Sequence, residues 1–111
     1  MITEAGKAKI RDLISAQFTT MKIGTGGDTT NPMATDLDSP LASTTATKVS
    51  TGQSALDFVA TFAGATIAGQ TIKEVGVFDG AGIMLGRVNF NALGPFTASE
   101  SIEIVFTLEV D

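Results

Sequence analysis

Apolar and polar residues alternate along the C-terminal half of the chain. Over residues 102–110, every second position is Ile, Ile, Phe, Leu or Val, with Glu, Val, Thr and Glu between them. The same period of two occurs in residues 56–63, where Leu56, Phe58 and Phe62 belong to one set. Side chains two apart on a strand share a face, so both segments predict strands with one buried face. A slip of one residue in the last strand would bury two glutamates.

A hairpin is predicted between these two strands. Residues 71–78 are rich in β-branched and aromatic side chains, and residues 83–90 form a second such run. The intervening Asp79-Gly-Ala-Gly82 is typical of a hairpin turn. Four clear strands and one or two weaker ones predict a mainly β fold, either an antiparallel β-sandwich or a small open barrel.

Residues 2–17 predict one N-terminal amphipathic helix. Thr3 is a suitable N-cap, because its hydroxyl can accept a hydrogen bond from the first turn. Ile10, Leu13 and Ile14 follow the i, i+3, i+4 spacing and form a narrow apolar stripe. A helix with so narrow a stripe is stabilised by lying on another surface.

Residues 24–54 are rich in Gly, Thr, Ser, Asp and Pro, which is typical of turns and loops. A loop of this length is unusual inside a compact domain. We therefore expect that it either contains a brief strand, near residues 44–50, or is ordered by a neighbouring chain. The whole sequence, residues 1–111, predicts a single domain with its β core at residues 55–110.

Composition argues against catalysis. Cys, His, Trp and Tyr are absent, which excludes disulfides, thiolate zinc sites and the Ser-His-Asp triad. We therefore predict no enzyme activity, no cofactor and no metal. The net charge of −5, with seven basic against twelve acidic residues, argues against nucleic acid and membrane surfaces as partners. The N-terminus lacks the apolar stretch of a signal peptide, so synthesis in a cytoplasm is expected.

Two segments have the residue types of ligand sites. Gly24-Thr-Gly-Gly27 invites comparison with a phosphate-binding loop, but Asp28 follows where such a loop needs Lys and then Ser or Thr. Asp28, Asn31, Asp36 and Asp38 have oxygen atoms that suit calcium, but their spacing is not that of an EF-hand. Turn formation is the favoured interpretation of both segments.

The acidic residues of the last third also lack a catalytic pattern. Glu100, Glu103 and Glu109 lie on or beside the last strand, and a solvated face is favoured over the paired acids of a glycosidase. Lys73-Glu74 and Arg87 occupy facing strands of the predicted hairpin, so an ordinary cross-strand ion pair is expected there.

Five segments of the chain together carry a family resemblance. They are Ile2-Thr-Glu-Ala-Gly6, Met21-Lys-Ile-Gly-Thr-Gly-Gly27, Thr35-Asp-Leu-Asp-Ser-Pro-Leu41, Ile72-Lys-Glu-Val-Gly-Val-Phe-Asp-Gly80 and Met84-Leu-Gly-Arg-Val-Asn-Phe90. In this order they resemble the N-terminal collar domain of tail-fibre proteins and related small virion proteins of tailed bacteriophages and archaeal tailed viruses. The family's tail-fibre members continue into a shaft and tip, whereas this sequence stops at Asp111, so assembly rather than receptor binding is the expectation.

The resemblance implies a structural virion protein in symmetric copies at a tail tip, collar or fibre-attachment region. Its partners would be other viral structural proteins of the tail, baseplate or capsid, and further copies of itself. Capsid decoration, as a cement protein, is one alternative. A non-viral β-sandwich binding module, for example for carbohydrate, is another, although sugar sites usually rely on the aromatic faces that Trp and Tyr provide.

The resemblance also implies roles for individual residues. The fold-determining residues would be Glu74, Gly76, Phe78, Arg87 and Phe90. Gly76 would leave space for another backbone or ring to approach, with Phe90 and Phe96 as the candidate rings. The helix and the polar loop would contact neighbouring subunits through Ile10, Leu13, Ile14, Asp28, Pro32, Met33, Leu37, Pro40 and Leu41.

Overall fold

The computed structural model describes residues 1–27, 32–52 and 54–110. Over these residues the chain forms α1 (Glu4–Gln17), β1 (Phe18–Gly24), β2 (Pro40–Thr45), β3 (Thr47–Thr51), β4 (Ala55–Ala63), α2 (Gly64–Ile67), β5 (Ile72–Asp79), β6 (Met84–Leu93) and β7 (Ser101–Glu109).

The strands form two antiparallel sheets that face each other. The first sheet has the order β2-β1-β5-β6, and the second sheet has the order β3-β4-β7. The prediction of a mainly β fold with one N-terminal helix is confirmed, and the sheets form a sandwich rather than a closed barrel. β2 and β3 are separated by Ala46, whose buried N–H donates to the Thr19 carbonyl at 2.8 Å. The chain therefore switches sheets at this corner and closes one side of the sandwich.

The core lies between the sheets and follows the predicted alternation. Leu56, Phe58 and Phe62 of β4 are buried, as are Met21 and Ile23 of β1. The strands predicted in residues 56–63 and 102–110 are confirmed as β4 and β7, which pair with one another without a register shift. The inward-facing side chains of β7 are only half-buried, because β7 is an edge strand.

The predicted hairpin is confirmed as β5 and β6. One oxygen of the Asp79 carboxylate accepts hydrogen bonds from the N–H groups of Ala81 and Ile83, at 2.9 and 2.8 Å. Gly82 adopts a φ of 88°, which glycine reaches without steric cost. The turn residues therefore fix the hairpin locally, as the sequence pattern indicates.

The N-terminal helix begins at Glu4, two residues later than predicted, and ends at Gln17 as expected. The Thr3 hydroxyl accepts a 3.0 Å hydrogen bond from the Gly6 N–H, which confirms the N-cap. None of the helix residues is fully buried, so α1 lies on the surface. Lys48 donates to the Ser15 carbonyl at 2.8 Å and holds the end of α1 against the second sheet. Within the described part of the chain, no helix combines the length and apolar character needed to cross a membrane.

The long polar loop predicted over residues 24–54, with a brief strand as one of its two alternatives, contains two strands, β2 and β3, in its second half. The brief strand expected near residues 44–50 spans the corner between them. Residues 40–51 are mainly Thr, Ser and Ala, which lack a strong apolar alternation, so pairing with β1 and β4 defines these strands. In the connection between β1 and β2, the described residues 25–27 and 32–39 form neither helix nor strand.

Candidate functional site

A buried carboxylate anchors both ends of the β1–β2 connection to the outer face of the first sheet. Glu74 of β5 is fully buried. Its Oε2 accepts hydrogen bonds from the N–H groups of Gly26 and Ser39, at 3.0 and 2.8 Å. Its Oε1 accepts a third from the Asp38 N–H at 2.8 Å. A carboxylate with this many donors satisfies backbone groups that would otherwise be buried without partners.

The Arg87 guanidinium neutralises this buried charge. Its Nη2 lies 3.1 Å from Glu74 Oε1 and 2.9 Å from Asn89 Oδ1. The guanidinium also lies against the Asp38 carboxylate, with Nη1 3.2 Å from Oδ1 and Nη2 3.3 Å from Oδ2. The predicted cross-strand pairing of Glu74 with Arg87 is confirmed. Since its oxygens are occupied by donors, the Glu74 carboxylate has a structural role rather than that of a general base.

The glycine-rich segment surrounds this carboxylate. A Cβ placed on Gly24 would collide with Glu74 Oε2 and the Ser39 carbonyl oxygen. A Cβ on Gly26 would lie 2.6 Å from the Asp38 Cβ, closer than such atoms approach in proteins. These glycines therefore let the backbone approach the Glu74 carboxylate closely. In a phosphate-binding loop, glycines let the backbone approach a bound phosphate in the same way.

Leu37 lies over Gly76 on the outer face of the first sheet. Only 5% of Leu37 is exposed, so the prediction that it contacts a partner is wrong. A Cβ on Gly76 would lie 3.0 Å from Phe78 Cε1 and 3.1 Å from Leu37 Cδ2. A ring does approach Gly76, but it belongs to Phe78 and not to Phe90 or Phe96, so that part of the prediction is wrong. Here the glycine makes room for a side chain from the β1–β2 connection.

Two of the four candidate calcium ligands, Asp36 and Asp38, lie in the described part of the chain. Asp28 and Asn31 lie outside the described residues. Asp36 Oδ1 is 3.4 Å from Lys22 Nζ, and Asp38 belongs to the network around the buried carboxylate. No group of three or more acidic side chains close enough to hold a metal ion occurs in the described ranges. Turn formation and pairing with cations account for the two described aspartates.

The acidic residues in the last third of the chain lie in solvent-exposed positions, as the interpretation of a solvated face predicts. Glu103 and Glu109 are exposed on the outer side of β7. Glu100 Oε1 accepts a 2.7 Å hydrogen bond from the Thr97 N–H, so it stabilises the turn before β7.

The predicted contact residues of α1 are divided between solvent and core. Leu13 is 56% exposed and Ile10 is 37% exposed, whereas Ile14 is half-buried and packs against the core. Of the predicted contact residues in the polar segment, Pro32, Met33 and Pro40 are exposed, and Leu41 is half-buried against the core. Asp28 lies outside the described residues. Ile10 and Leu13 therefore form an apolar stripe on α1 that the described part of the chain leaves largely uncovered.

An apolar groove opens on the side of the sandwich opposite the β2–β3 corner. It has a volume of about 680 Å³ and lies between the edge strands β6 and β7. Six consecutive residues of β7, 102–107, line one wall, and Phe90 and Leu93 of β6 line the other. Of the residues that line this open-edge groove, Glu103 is the one that carries a charge. The groove therefore suits a ligand or chain segment that is largely apolar.

Sequence reasoning missed the open-edge groove. Alternation predicts which side chains of β7 face inward, but it does not show whether a further strand covers them. A signal was present at Val105, an apolar residue on the otherwise polar outer face, which is 52% exposed in the structure. Phe90, predicted to determine the fold, is half-buried against the core and also lines this groove.

No protein-family model matches the chain, and no curated protein matches it.

Proposed function

We propose that the protein is a structural component of a tailed-virus particle, assembled in symmetric copies at the tail tip, collar or fibre-attachment region. One observation supports the proposal most directly: four of the five segments that carry the family resemblance lie around one buried ion pair, Glu74–Arg87. Residues 21–27 and 35–41 supply backbone donors to Glu74, and residues 84–90 supply Arg87. Segments far apart in sequence thus form one structural unit, as expected if they were retained together for a common fold.

Assembly rather than catalysis is supported by where the apolar surface lies. The exposed side chains of Ile10 and Leu13 lie on α1, and the open-edge groove lies between β6 and β7. Contiguous exposed apolar surface of this kind marks interaction sites. Two different contact surfaces on one chain allow head-to-tail contacts, which close into a ring when the rotation between copies permits it.

A non-viral binding module is the second candidate, and the groove is the observation that favours it. An apolar groove of this size is typical of sites that bind small molecules or peptide segments. The absence of Trp and Tyr makes carbohydrate the less favoured ligand. Capsid decoration would use the same surfaces as the tail role, so location in the particle distinguishes those two.

The test is whether the chain is part of a particle. Particles produced from the genome that encodes this chain are purified on a density gradient, and an antibody to the chain is used for gold labelling. We expect the chain to sediment with the particles and the label to lie on the tail. Label on the capsid would replace the tail role with decoration, and absence from the particles would refute both.

A matched pair of helix variants tests the contact role of α1. Leu13→Glu and Ala16→Glu each add one negative charge to an exposed position of the same helix. We expect Leu13→Glu to reduce incorporation while Ala16→Glu does not, because only the first removes apolar contact area. Equal incorporation of both variants would contradict the contact role of the stripe.

A further inference from the structure

The open-edge groove runs along the backbone of β7, not along one face of the strand. Both sets of alternating residues between 102 and 107 line it. The Val110 N–H donates to the Ser54 carbonyl at 2.8 Å, and the β4–β7 register then continues through nine pairs without a shift. In such a ladder alternate residues point their N–H and C=O groups to the same neighbour. Glu103, Val105 and Thr107 therefore point these groups away from β4 and into the groove.

β7 lacks most of the features that usually protect an edge strand from pairing. Natural edges are blocked by Pro, by charged side chains, above all Lys, by bulges or by a covering segment. Of these, β7 carries charged side chains, Glu103 and Glu109. Residues 101–109 contain neither Pro nor Lys, and the ladder to β4 has no bulge. β6, the edge of the first sheet, differs, because its pairing with β5 shifts register twice. The regular edge of β7 is therefore the better template for another strand.

The arrangement of the sheets provides a place for one more strand. The first sheet has four strands and the second has three, and the β2–β3 corner closes the side opposite β7. A strand added to β7 would lie in the groove, with alternate side chains directed at Phe90 and Leu93. Pairing with residues 102–107 spans about 20 Å at about 3.4 Å per residue. An extended peptide segment can both form backbone hydrogen bonds with β7 and place apolar side chains against the walls of the groove.

The charges around the groove define the occupant further. β4 and β7 contain no Lys or Arg, and their outer face carries Asp57, Glu103 and Glu109. A strand with cationic side chains on its outward face would complement this acidic surface. Among the described strands that carry Lys or Arg, β1 and β5 are central strands paired on both sides. In the edge strands β3 and β6, Lys48 donates to the Ser15 carbonyl and Arg87 pairs with Glu74, so both cations already have partners within the chain. A segment of a different protein is therefore favoured over a second copy.

We propose that β7 binds an extended segment of another protein by strand addition, with apolar side chains in the open-edge groove and Lys or Arg facing outward. That the partner is a neighbouring subunit rests on the proposed assembly function. The mode of binding itself is independent of that function and is tested on the purified chain.

The probes are three capped synthetic peptides of about seven residues, a length that matches the groove. One alternates Val and Lys, the second has the same composition in two blocks, and the third alternates Val and Glu. Binding is followed by NMR titration and by amide hydrogen exchange. We expect the alternating Val/Lys peptide to slow exchange at Glu103, Val105 and Thr107, and the other two to bind about tenfold more weakly or less. Equal binding of the block peptide would overturn strand addition.

Two proline variants test the direction of the backbone groups. Val105→Pro removes an N–H that points into the groove. Ser50→Pro is the matched control, because the register places its N–H on the free side of β3, at the opposite edge of the same sheet. We expect only Val105→Pro to lose binding of the Val/Lys peptide. Retained binding by a folded Val105→Pro variant would refute the proposal.

If Val105→Pro does not fold, a charge-reversal variant tests the binding of the peptide to β7. Glu103→Lys changes an exposed side chain, so its effect on stability is small. Because Asp57 and Glu109 remain, it should weaken the preference for the Lys peptide over the Glu peptide, and an unchanged preference would overturn the proposal. Self-association in sedimentation experiments without peptide binding would assign the edge to a second copy instead. Peptide binding by a chain absent from particles would refute the proposed function alone, whereas incorporation without peptide binding would refute this inference alone.

Discussion

Replacing Glu74 with glutamine tests whether one buried carboxylate fixes the β1–β2 connection to the first sheet. The change keeps the shape of the side chain but exchanges one acceptor oxygen for an NH₂ group, which is a donor. Each carboxylate oxygen accepts two hydrogen bonds, Oε2 from Gly26 and Ser39 and Oε1 from Asp38 and Arg87. In either amide orientation, two of these donors would face another donor.

The magnitude follows from these unpaired groups. A buried donor left without a partner costs about 1–3 kcal/mol, and breaking a buried ion pair costs about 3–5 kcal/mol. Detachment of the connection would return its N–H groups to water, which limits the loss. We therefore expect Glu74→Gln to lower the free energy of unfolding by about 2–4 kcal/mol. Small domains have about 5–15 kcal/mol in total, so this is a large fraction.

Urea unfolding followed by far-ultraviolet circular dichroism measures the loss, since the chain has no Trp or Tyr to provide fluorescence. With a slope of about 2 kcal/mol per molar urea, the middle of the range for small proteins, the midpoint should fall by about 1–2 M. Glu109→Gln is the matched control at an exposed position and should change stability by less than about 0.5 kcal/mol. Equal midpoints for the two variants would refute the anchoring role. Undiminished exchange protection of the Gly26, Asp38 and Ser39 amides in Glu74→Gln would refute it independently.

Three further substitutions can be measured by the same urea unfolding experiment. Leu37→Ala should cost about 2–3 kcal/mol, at the low end for buried leucines, because the site lies outside the main core and can partly collapse. Gly76→Ala should lower the free energy of unfolding by about 1–3 kcal/mol, since the new Cβ would press on Phe78 and Leu37. In the Leu37→Ala background this loss should be smaller. If the losses of the two single variants simply add in the double variant, Leu37 is not the cause of the Gly76→Ala loss. Thr3→Ala should cost about 1 kcal/mol through loss of the N-cap bond to Gly6, with a corresponding loss of helical signal, and an unchanged midpoint would mean that α1 contributes little to stability.

The elements that the sequence predicts best are those whose pattern is local. The strands β4 and β7 follow from a period of two, and the β5–β6 hairpin follows from the Asp79 turn. β2 and β3 were missed as separate strands because their Thr, Ser and Ala residues carry little hydrophobic signal. Their pairing with β1 and β4, and the buried Ala46 at the corner between them, define them. Long-range pairing of this kind has no signature within the segment itself.

The residues of the candidate site also differ in whether local sequence predicts their contacts. The Glu74–Arg87 pair was predictable because both residues lie on adjacent strands of one hairpin. The three backbone donors to Glu74 come from residues 35 to 48 positions away along the chain, and nothing local in sequence indicates that approach. The inward position of Leu37 was missed for the same reason. The open-edge groove is a property of strand order, because it exists where no further strand of the described chain covers β7.

The path of the chain after β6 explains why that edge stays open. The connection between β6 and β7 passes beside α2, where the Gly69 N–H donates to the Phe96 carbonyl at 2.8 Å and a Cβ on Gly64 would collide with the Glu100 carbonyl oxygen. This connection therefore covers one end of the sandwich instead of its side. The inward-facing apolar side chains of β7 consequently remain half-buried.

The energy available at this edge indicates what kind of partner it fits. Full burial of an apolar side chain contributes about 1.5–3 kcal/mol, so completing the burial of four half-buried ones provides about 3–6 kcal/mol. Association itself costs about 4–15 kcal/mol, so apolar contact alone would not give a stable complex. Backbone hydrogen bonds and charge pairing must supply the remainder, which favours an extended cationic segment over an apolar small molecule. A single such contact would still be weak, but copies held in a symmetric assembly bind their neighbours at a high effective concentration. A weak open edge and a role in a multi-copy particle are therefore physically consistent, whereas the same edge on a solitary monomer would bind a strand only transiently.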